Sequence, residues 1–197
     1  MPELRLLTDS QLRQVYRVHV KRDFPRSERR PLTSIRSLRR AGRYDTWGIF
    51  EGDVLLAYAF LWRTAEGNCA LLDYLAVCPE GRGQGLGTQA LELLKARYGP
   101  ACAMLAEAEA PELGVSPEED RVRRRRLAFY QRAGFRLLNY QADIFRVRYA
   151  VLVWSEACAL DEETFREIHR GLYRSQMPPV LFRRMIHIPA VHCGKKE

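Results

Sequence analysis

Apolar residues recur along the chain at two periods, and stretches of each alternate. Leu12, Val15, Tyr16 and Val20 fall at helical spacing. They follow Thr8-Asp9-Ser10-Gln11, where a hydroxyl residue with Gln three positions later forms a capping box. This predicts a helix ending near Asp23-Phe24-Pro25, with a short strand over residues 3–7 before it. The arginine-rich residues 33–40 predict a second helix, stopped at Gly42. Residues 46–50 and 54–62 are strand-like and joined by Glu51-Gly52-Asp53, a hairpin signal. Ala65-Glu66-Gly67-Asn68 makes the next turn and leads into a strand over residues 69–77.

After Pro79 a glycine-dense loop opens a helix over residues 88–98. Residues 101–110 form a strand, broken by Pro111, and residues 118–133 a helix with Gly134 as its stop. Two more strands are expected over residues 135–140 and 145–154, then an acid-started helix over 161–173 and a last strand over 181–188. The pattern is α+β: antiparallel strands first, then strand–loop–helix–strand–helix–strand. One domain over residues 1–154, extended by a helix and strand over 155–197, is the expected organisation.

Composition narrows the function classes. With 197 residues, 47% apolar and 28% charged, the chain can bury a core and is not globally disordered. Its longest apolar run has nine residues (54–62) against the roughly 20 of a membrane helix. Met1-Pro2-Glu3-Leu4-Arg5 lacks the basic-then-apolar start of a secretory signal. Five scattered cysteines, none in a C-x-x-C pair, argue against a disulfide framework and a cysteine zinc site. Free thiols in a reducing cytoplasm are expected, with no membrane association. The four histidines show no metal spacing, so no metal is expected. The net charge is +8, carried almost wholly by arginine. A nucleic-acid partner, a polyanionic cofactor and an arginine-biased solvated surface all remain open on charge alone.

The most informative stretch runs from Leu71 through Asp73, Leu75, Ala76 and Val77 to Arg82-Gly83-Gln84-Gly85-Leu86-Gly87-Thr88. A strand enters a loop with glycine at 81, 83, 85 and 87, and the loop enters a helix. Glycines let backbone approach a ligand, and amides at the helix N-terminus can hold phosphate oxygens. A P-loop would need lysine after Gly87, and the dinucleotide fingerprint G-x-G-x-x-G finds Leu86 or Thr88 in its last place. The pattern R/Q-x-x-G-x-G/A matches without a gap. The plainer alternative is a flexible glycine turn.

Here the chain resembles the GNAT superfamily of acyl-CoA-dependent N-acetyltransferases. A second stretch, Arg126-Leu127-Ala128-Phe129-Tyr130-Gln131-Arg132-Ala133-Gly134-Phe135, resembles that family's helix ending in F-Y-x-x-x-G-F. Together the two matches cover roughly residues 45 to 140, in the family's order. The resemblance implies a mixed, mostly antiparallel twisted sheet flanked by helices. It implies acetyl-CoA as co-substrate, with Leu75, Ala76 and Val77 along the pantetheine arm and Arg82, Gly83, Gln84, Gly85, Leu86, Gly87 and Thr88 around the pyrophosphate. Arg126 and Phe129 are expected as further cofactor contacts: guanidinium suits the phosphates and aromatic face of the adenosine end, so Arg125 and Arg126 could meet it, and a solvated helix face is the alternative for both arginines.

Amide formation needs a neutral amine. With an amine pKa near 10.4, deprotonation at pH 7 costs about 4.6 kcal/mol, and a carboxylate can take that proton. Strand alternation puts Leu105, Glu107 and Glu109 on one face. Glu109 is the first choice of base, Glu107 the second and Asp73 the third; the alternative for the glutamates is a solvated strand end paired with arginines. Tyr130, at the position where the family commonly carries a proton donor, is expected to protonate the departing thiolate, against an alternative as a packing residue. Asp23 and Glu28 lie in a connection that commonly forms part of the family's acceptor pocket and could bind a cationic amine, with surface capping the preferred alternative.

The function expected is therefore acetyl transfer to a primary amine, with a cationic small molecule preferred and a protein lysine or N-terminus open. A non-catalytic acyl-CoA-binding module is the alternative, and nucleic-acid binding is disfavoured for want of an aromatic–basic motif. Monomer and homodimer are both compatible with the sequence.

Overall fold

The structure, a computed structural model, describes residues 1–99, 101–111, 116–156 and 160–189. The chain divides into two compact units, Met1–Met104 and Leu105–Glu197.

In the first unit β1 (Glu3–Leu6) leads into α1 (Asp9–Val15). The expected capping box is present: the Thr8 hydroxyl accepts from the Gln11 amide, and the Gln11 side chain accepts from the Thr8 amide at 2.9 Å. The helix does not continue as a plain α-helix. Tyr16–Val20 forms a π turn, and α2 (Lys21–Asp23) completes the rod. After a single 3-10 turn over Arg26–Glu28 comes α3 (Leu32–Arg40), which begins directly after Pro31. Strands β2 (Tyr44–Glu51), β3 (Val54–Arg63) and β4 (Cys69–Val77) form the meander, in the order β1-β2-β3-β4, every pair antiparallel. α4 (Leu86–Tyr98) packs on β1, β3 and β4.

The first unit's core is aromatic. Trp62, Tyr58, Tyr74 and Phe60 are its largest fully buried side chains, each worth roughly 1.5–3 kcal/mol by burial alone. Phe60 meets Tyr58 and Tyr74 at ring separations of 5.6 Å. Ile49, Ala57 and Ala90 join the sheet to α4.

β5 (Ala103–Glu109) runs into the second unit, which then carries α5 (Pro117–Arg132), β6 (Arg136–Ile144), β7 (Val147–Trp154), α6 (Glu162–Arg174), α7 (Pro179–Met185) and β8 (Ile186–His187). Its strand order is β5-β7-β6-β8, with β6 antiparallel to both β7 and β8. α5 is capped by Ser116, with Pro117 at its start and three acidic residues in its first turn, all favourable to a helix N-terminus. The fold is thus the expected α+β arrangement of mostly antiparallel strands and packed helices.

One expected element is overturned. Residues 181–188 are not a strand; α7 covers most of them and only Ile186–His187 pair with β6. Pro179 supplies a preset first-turn φ and Arg183 and Arg184 sit in the last turn, so the ends favour a helix that the short apolar run hides. The β6–β7 turn also falls later than expected. Phe145 and Arg146 both take positive φ, 49° and 70°, the signature of a two-residue primed hairpin turn.

Candidate active site

The glycine loop leaves β4 through a 3-10 turn at Pro79–Gly81 and enters α4 at Leu86. Gly81 is packed so closely that a Cβ would stand 2.3 Å from the Leu86 side chain. Gly83 and Gly85 take positive φ, 80° and 77°, with nothing within 4 Å of where a Cβ would lie. Gly85 is also the N-cap of α4 and offers no side chain to the first-turn amides. Those amides, at the positive end of a 13-residue helix, are what an anion requires. Arg82, Gln84 and Thr88 are exposed, Gly87 is half-buried and Leu86 is buried. Gln84 donates to the Glu80 carbonyl at 3.1 Å and fixes the loop's inner turn. Leu75, Ala76 and Val77 are half-buried at the end of β4, opposite Ala59, Tyr58 and Ala57 of β3.

Arg82 is already engaged. Its Nη2 donates to Asp23 Oδ1 at 3.0 Å and its Nε to the Val77 carbonyl at 3.3 Å. Asp23 also receives Arg22 and the Tyr58 hydroxyl. Burial works against charge on Asp23, but the hydrogen bonds from Arg22 and Tyr58 and the charges of Arg22 and Arg82 outweigh it and hold the carboxyl below its usual range.

Asp73 occupies a β-bulge. Phe60 faces Tyr74 and Leu61 faces Leu72, so Asp73 is the extra residue on β4. Its carboxylate accepts from Arg30 Nε at 2.8 Å and from the Tyr44 hydroxyl at 2.5 Å. The Arg30 guanidinium lies 4.1 Å from the Trp62 ring centre. The backbone around Arg30 is pinned as well: Tyr16 donates to its carbonyl, and its amide donates to the Tyr74 hydroxyl. The Glu28 carbonyl accepts from Tyr74 at 3.1 Å.

In the second unit Glu107 and Glu109 leave the same face of β5, both half-buried, while Ala106 and Ala108 are buried on the other. Their surroundings differ. Glu109 faces guanidinium groups, Arg126 Nη1 at 3.2 Å and Arg123 Nε at 3.7 Å. Glu107 faces an imidazole and a phenol: His169 Nε2 lies 2.6 Å from Oε1, and Tyr173 donates at 3.0 Å to Oε1 and 3.1 Å to Oε2. His169 and Tyr173 sit four positions apart on one face of α6. The only sequence signal for them was a histidine inside that helix's apolar stripe.

Tyr130, near the end of α5, is buried between Phe129 and Phe135, whose rings lie 5.2 and 5.4 Å away. Burial pushes its hydroxyl up to about 12; the nearby Glu107 charge adds to this and the Arg126 charge opposes it. The phenol therefore stays protonated throughout the neutral range, close enough to Glu107 to feel its charge. Phe129 is half-buried, and Arg125 and Arg126 are exposed on the same helix.

Among the described residues no cluster of three or more His, Cys, Asp or Glu suits a metal ion. Nor is any helix among them long and apolar enough to cross a membrane. Cys69, Cys78 and Cys102 are buried free thiols; Cys158 and Cys193 lie outside the described residues.

The family model of the acetyltransferase (GNAT) domain matches residues 42–137. Among solved structures the chain is similar to a GNAT-family protein from Bacteroides thetaiotaomicron, with a TM-score of 0.68 and 24% identity over 87% of this chain and 96% of that one. It is also similar to the ribosomal-protein-S18-alanine N-acetyltransferase of Escherichia coli, at TM-score 0.56 and 17% identity over 82% and 97% of the two chains. A third likeness is to the spermidine N-acetyltransferase of Vibrio cholerae in complex with CoA and spermine, at 0.54 and 14% identity over 78% and 94%. At these identities the likeness is one of fold. No curated protein matches the sequence.

Proposed function

We propose that this chain, which belongs to the GNAT acetyltransferases, transfers an acetyl group from acetyl-CoA to a small-molecule primary amine that is cationic at neutral pH. The observation that carries the cofactor half is the β4–loop–α4 junction, where Gly85 leaves the first-turn amides uncapped. The residues present fit a pyrophosphate: amides of Leu86, Gly87 and Thr88 for its oxygens, open space at Gly83 and Gly85, and Arg82 beside them. Leu75, Ala76 and Val77 supply the strand end along which the pantetheine arm would run, and Arg126 and Phe129 are the further contacts. Acetyl-CoA supplies a thioester carbonyl when bound.

The chain's own residues supply the proton chemistry. Glu107 takes the amine proton, directly or through water. Glu109 is set aside as base because its carboxylate is taken up by two guanidinium groups, Arg126 at 3.2 Å and Arg123 at 3.7 Å. Asp73 is set aside because its carboxylate is occupied by Arg30 and Tyr44. Tyr130 gives its proton to the departing thiolate, and its raised pKa keeps that proton available at neutral pH. That a solved relative of the same fold binds spermine is compatible with a cationic acceptor.

Calorimetric titration with acetyl-CoA and desulfo-CoA tests the cofactor half, with micromolar binding of both expected. Thiol release from acetyl-CoA is then followed with spermine, butylamine and a lysine peptide. Turnover with the first two above the peptide is expected. Binding without turnover on any amine would make the chain an acyl-CoA-binding module.

A further inference from the structure

We propose that His169 is a positioning residue for the transfer step, and that helix α6, outside the stretch matched by the family model, thereby belongs to the catalytic apparatus. This rests on the assignment of Glu107 as the base. The imidazole is fully buried and both ring nitrogens are engaged: Nε2 with Glu107 Oε1 at 2.6 Å and Nδ1 with the Tyr140 hydroxyl at 3.0 Å. An ionised carboxylate only accepts, so Nε2 carries a hydrogen. A neutral ring would then accept at Nδ1 from the Tyr140 hydroxyl. Tyr140 and Tyr173 also flank the imidazole, with ring separations of 6.0 and 5.7 Å. The ring is therefore held in one orientation, by Tyr140 of β6 on one side and Glu107 of β5 on the other.

The consequence falls on Glu107. Its Oε1 accepts from both His169 and Tyr173, while Oε2 accepts from Tyr173 alone. Two donors fix the carboxyl plane, and Oε2, with the fewer hydrogen bonds, is the oxygen assigned to the amine. Among the described residues of its own unit, few charged groups lie around this carboxyl. Glu109, the next residue on its face of β5, is neutralised by Arg123 and Arg126. Tyr130 on α5 is neutral, and Arg166 on α6 lies over the Tyr140 ring at 5.1 Å. Among the described residues no arginine pairs with Glu107, and its orientation depends on His169 and Tyr173. A base held in this way loses rate when its holder is removed, because a misplacement of about 1 Å can cost on the order of 100-fold.

The test uses the full chain, acetyl-CoA and whichever of spermine, butylamine or the lysine peptide turns over fastest. His169→Leu is expected to lower kcat by 10- to 100-fold with the KM for acetyl-CoA within twofold. His169→Gln, which can return an N–H to Oε1, should recover most of that loss, and Tyr173→Phe should show a smaller fall in kcat. A nitrogen-15 spectrum of the imidazoles should show His169 as the Nε2–H tautomer. Should His169→Leu fail to fold, His169→Gln, Tyr173→Phe and the spectrum carry the test. Unchanged kcat in folded His169→Leu and Tyr173→Phe, with Glu107→Gln inactive, overturns the role of His169 alone. Full activity of Glu107→Gln, or no turnover by the unaltered chain, overturns the assignment on which it stands.

Discussion

Arg82 and Asp23, 59 positions apart in sequence, are joined by an ion pair of 3.0 Å. The two side chains are unequal partners: Asp23 is 6% exposed and Arg82 59%. The carboxylate is the fixed member and the guanidinium the one with room to turn. A pyrophosphate in the glycine loop would compete with Asp23 for it.

Asp23→Asn should therefore tighten desulfo-CoA binding, by about 2- to 5-fold, the scale of an exposed ion pair. Calorimetry reads this directly, and unchanged or weaker binding would remove Arg82 from the pyrophosphate site. The same carboxyl carries a pH signature. Its folded pKa is depressed, so its contribution to stability is present above the unfolded value of about 3.9 and is lost as pH falls through the folded value. Acid unfolding of Asp23→Asn should lack that component.

Tyr130→Phe should lower kcat by about 100-fold or more, the usual scale for a general acid, with desulfo-CoA affinity within twofold. Because burial lifts the hydroxyl to about 12, loss of this donor should not produce an alkaline fall in kcat below about pH 11. Stability follows the same group: the folded phenol keeps its proton where the unfolded one, with a pKa near 10, loses it. That contribution is complete below pH 10 and disappears as pH rises from 10 through 12. Alkaline unfolding of the Phe variant, compared with the unaltered chain, measures it.

Asp73→Ala is expected to destabilise the protein by about 2–4 kcal/mol in urea, since it leaves Arg30, 15% exposed, without its carboxylate. Turnover retained by the folded variant is expected; its complete loss in folded protein would make Asp73 the base.

Gly85→Ala should cost about 1–2 kcal/mol, the usual strain of a left-handed backbone in a residue with a Cβ. Gly85→Asn should cost less, because asparagine tolerates that region. Thermal unfolding of the two variants side by side separates backbone strain from a packing clash, which is absent at this position.

Local rules were enough for much of this fold. β4 begins at Cys69 and ends at Val77 where the apolar run and its flanking turns put it, and Thr8 and Gln11 form the box their spacing implies. What escaped depends on distance or on a small irregularity. Residues 181–188 carry a short apolar run that suits helix and strand alike, and their proline-led start decided for helix. Phe145 looks like a strand residue, yet the twist of its hairpin forces positive φ on it. The partners of the two glutamates divide in the same way. Arg123 and Arg126 lie on the helix that follows β5, and a general pairing with arginines was readable. His169 reaches Glu107 across 62 positions, a relation that periodicity cannot carry. Asp73 stood out as a charge in an apolar strand, but the bulge that re-aims it is visible only in the register with β3.

The π turn at Tyr16–Val20 has a consequence for comparing this chain with others. An α-helix advances about 100° per residue, and a π turn holds one residue more than an α turn. Every side chain beyond Val20, Asp23 included, is therefore rotated by about that angle from where an unbroken α-helix would present it. A relative whose first helix is regular aligns on one side of the turn or the other, but not on both without a one-residue gap in mid-helix. Deleting one residue within the turn would give a regular α-helix and leave Asp23 facing Tyr58 and Arg82; winding the same residues into an unbroken α-helix would swing it away.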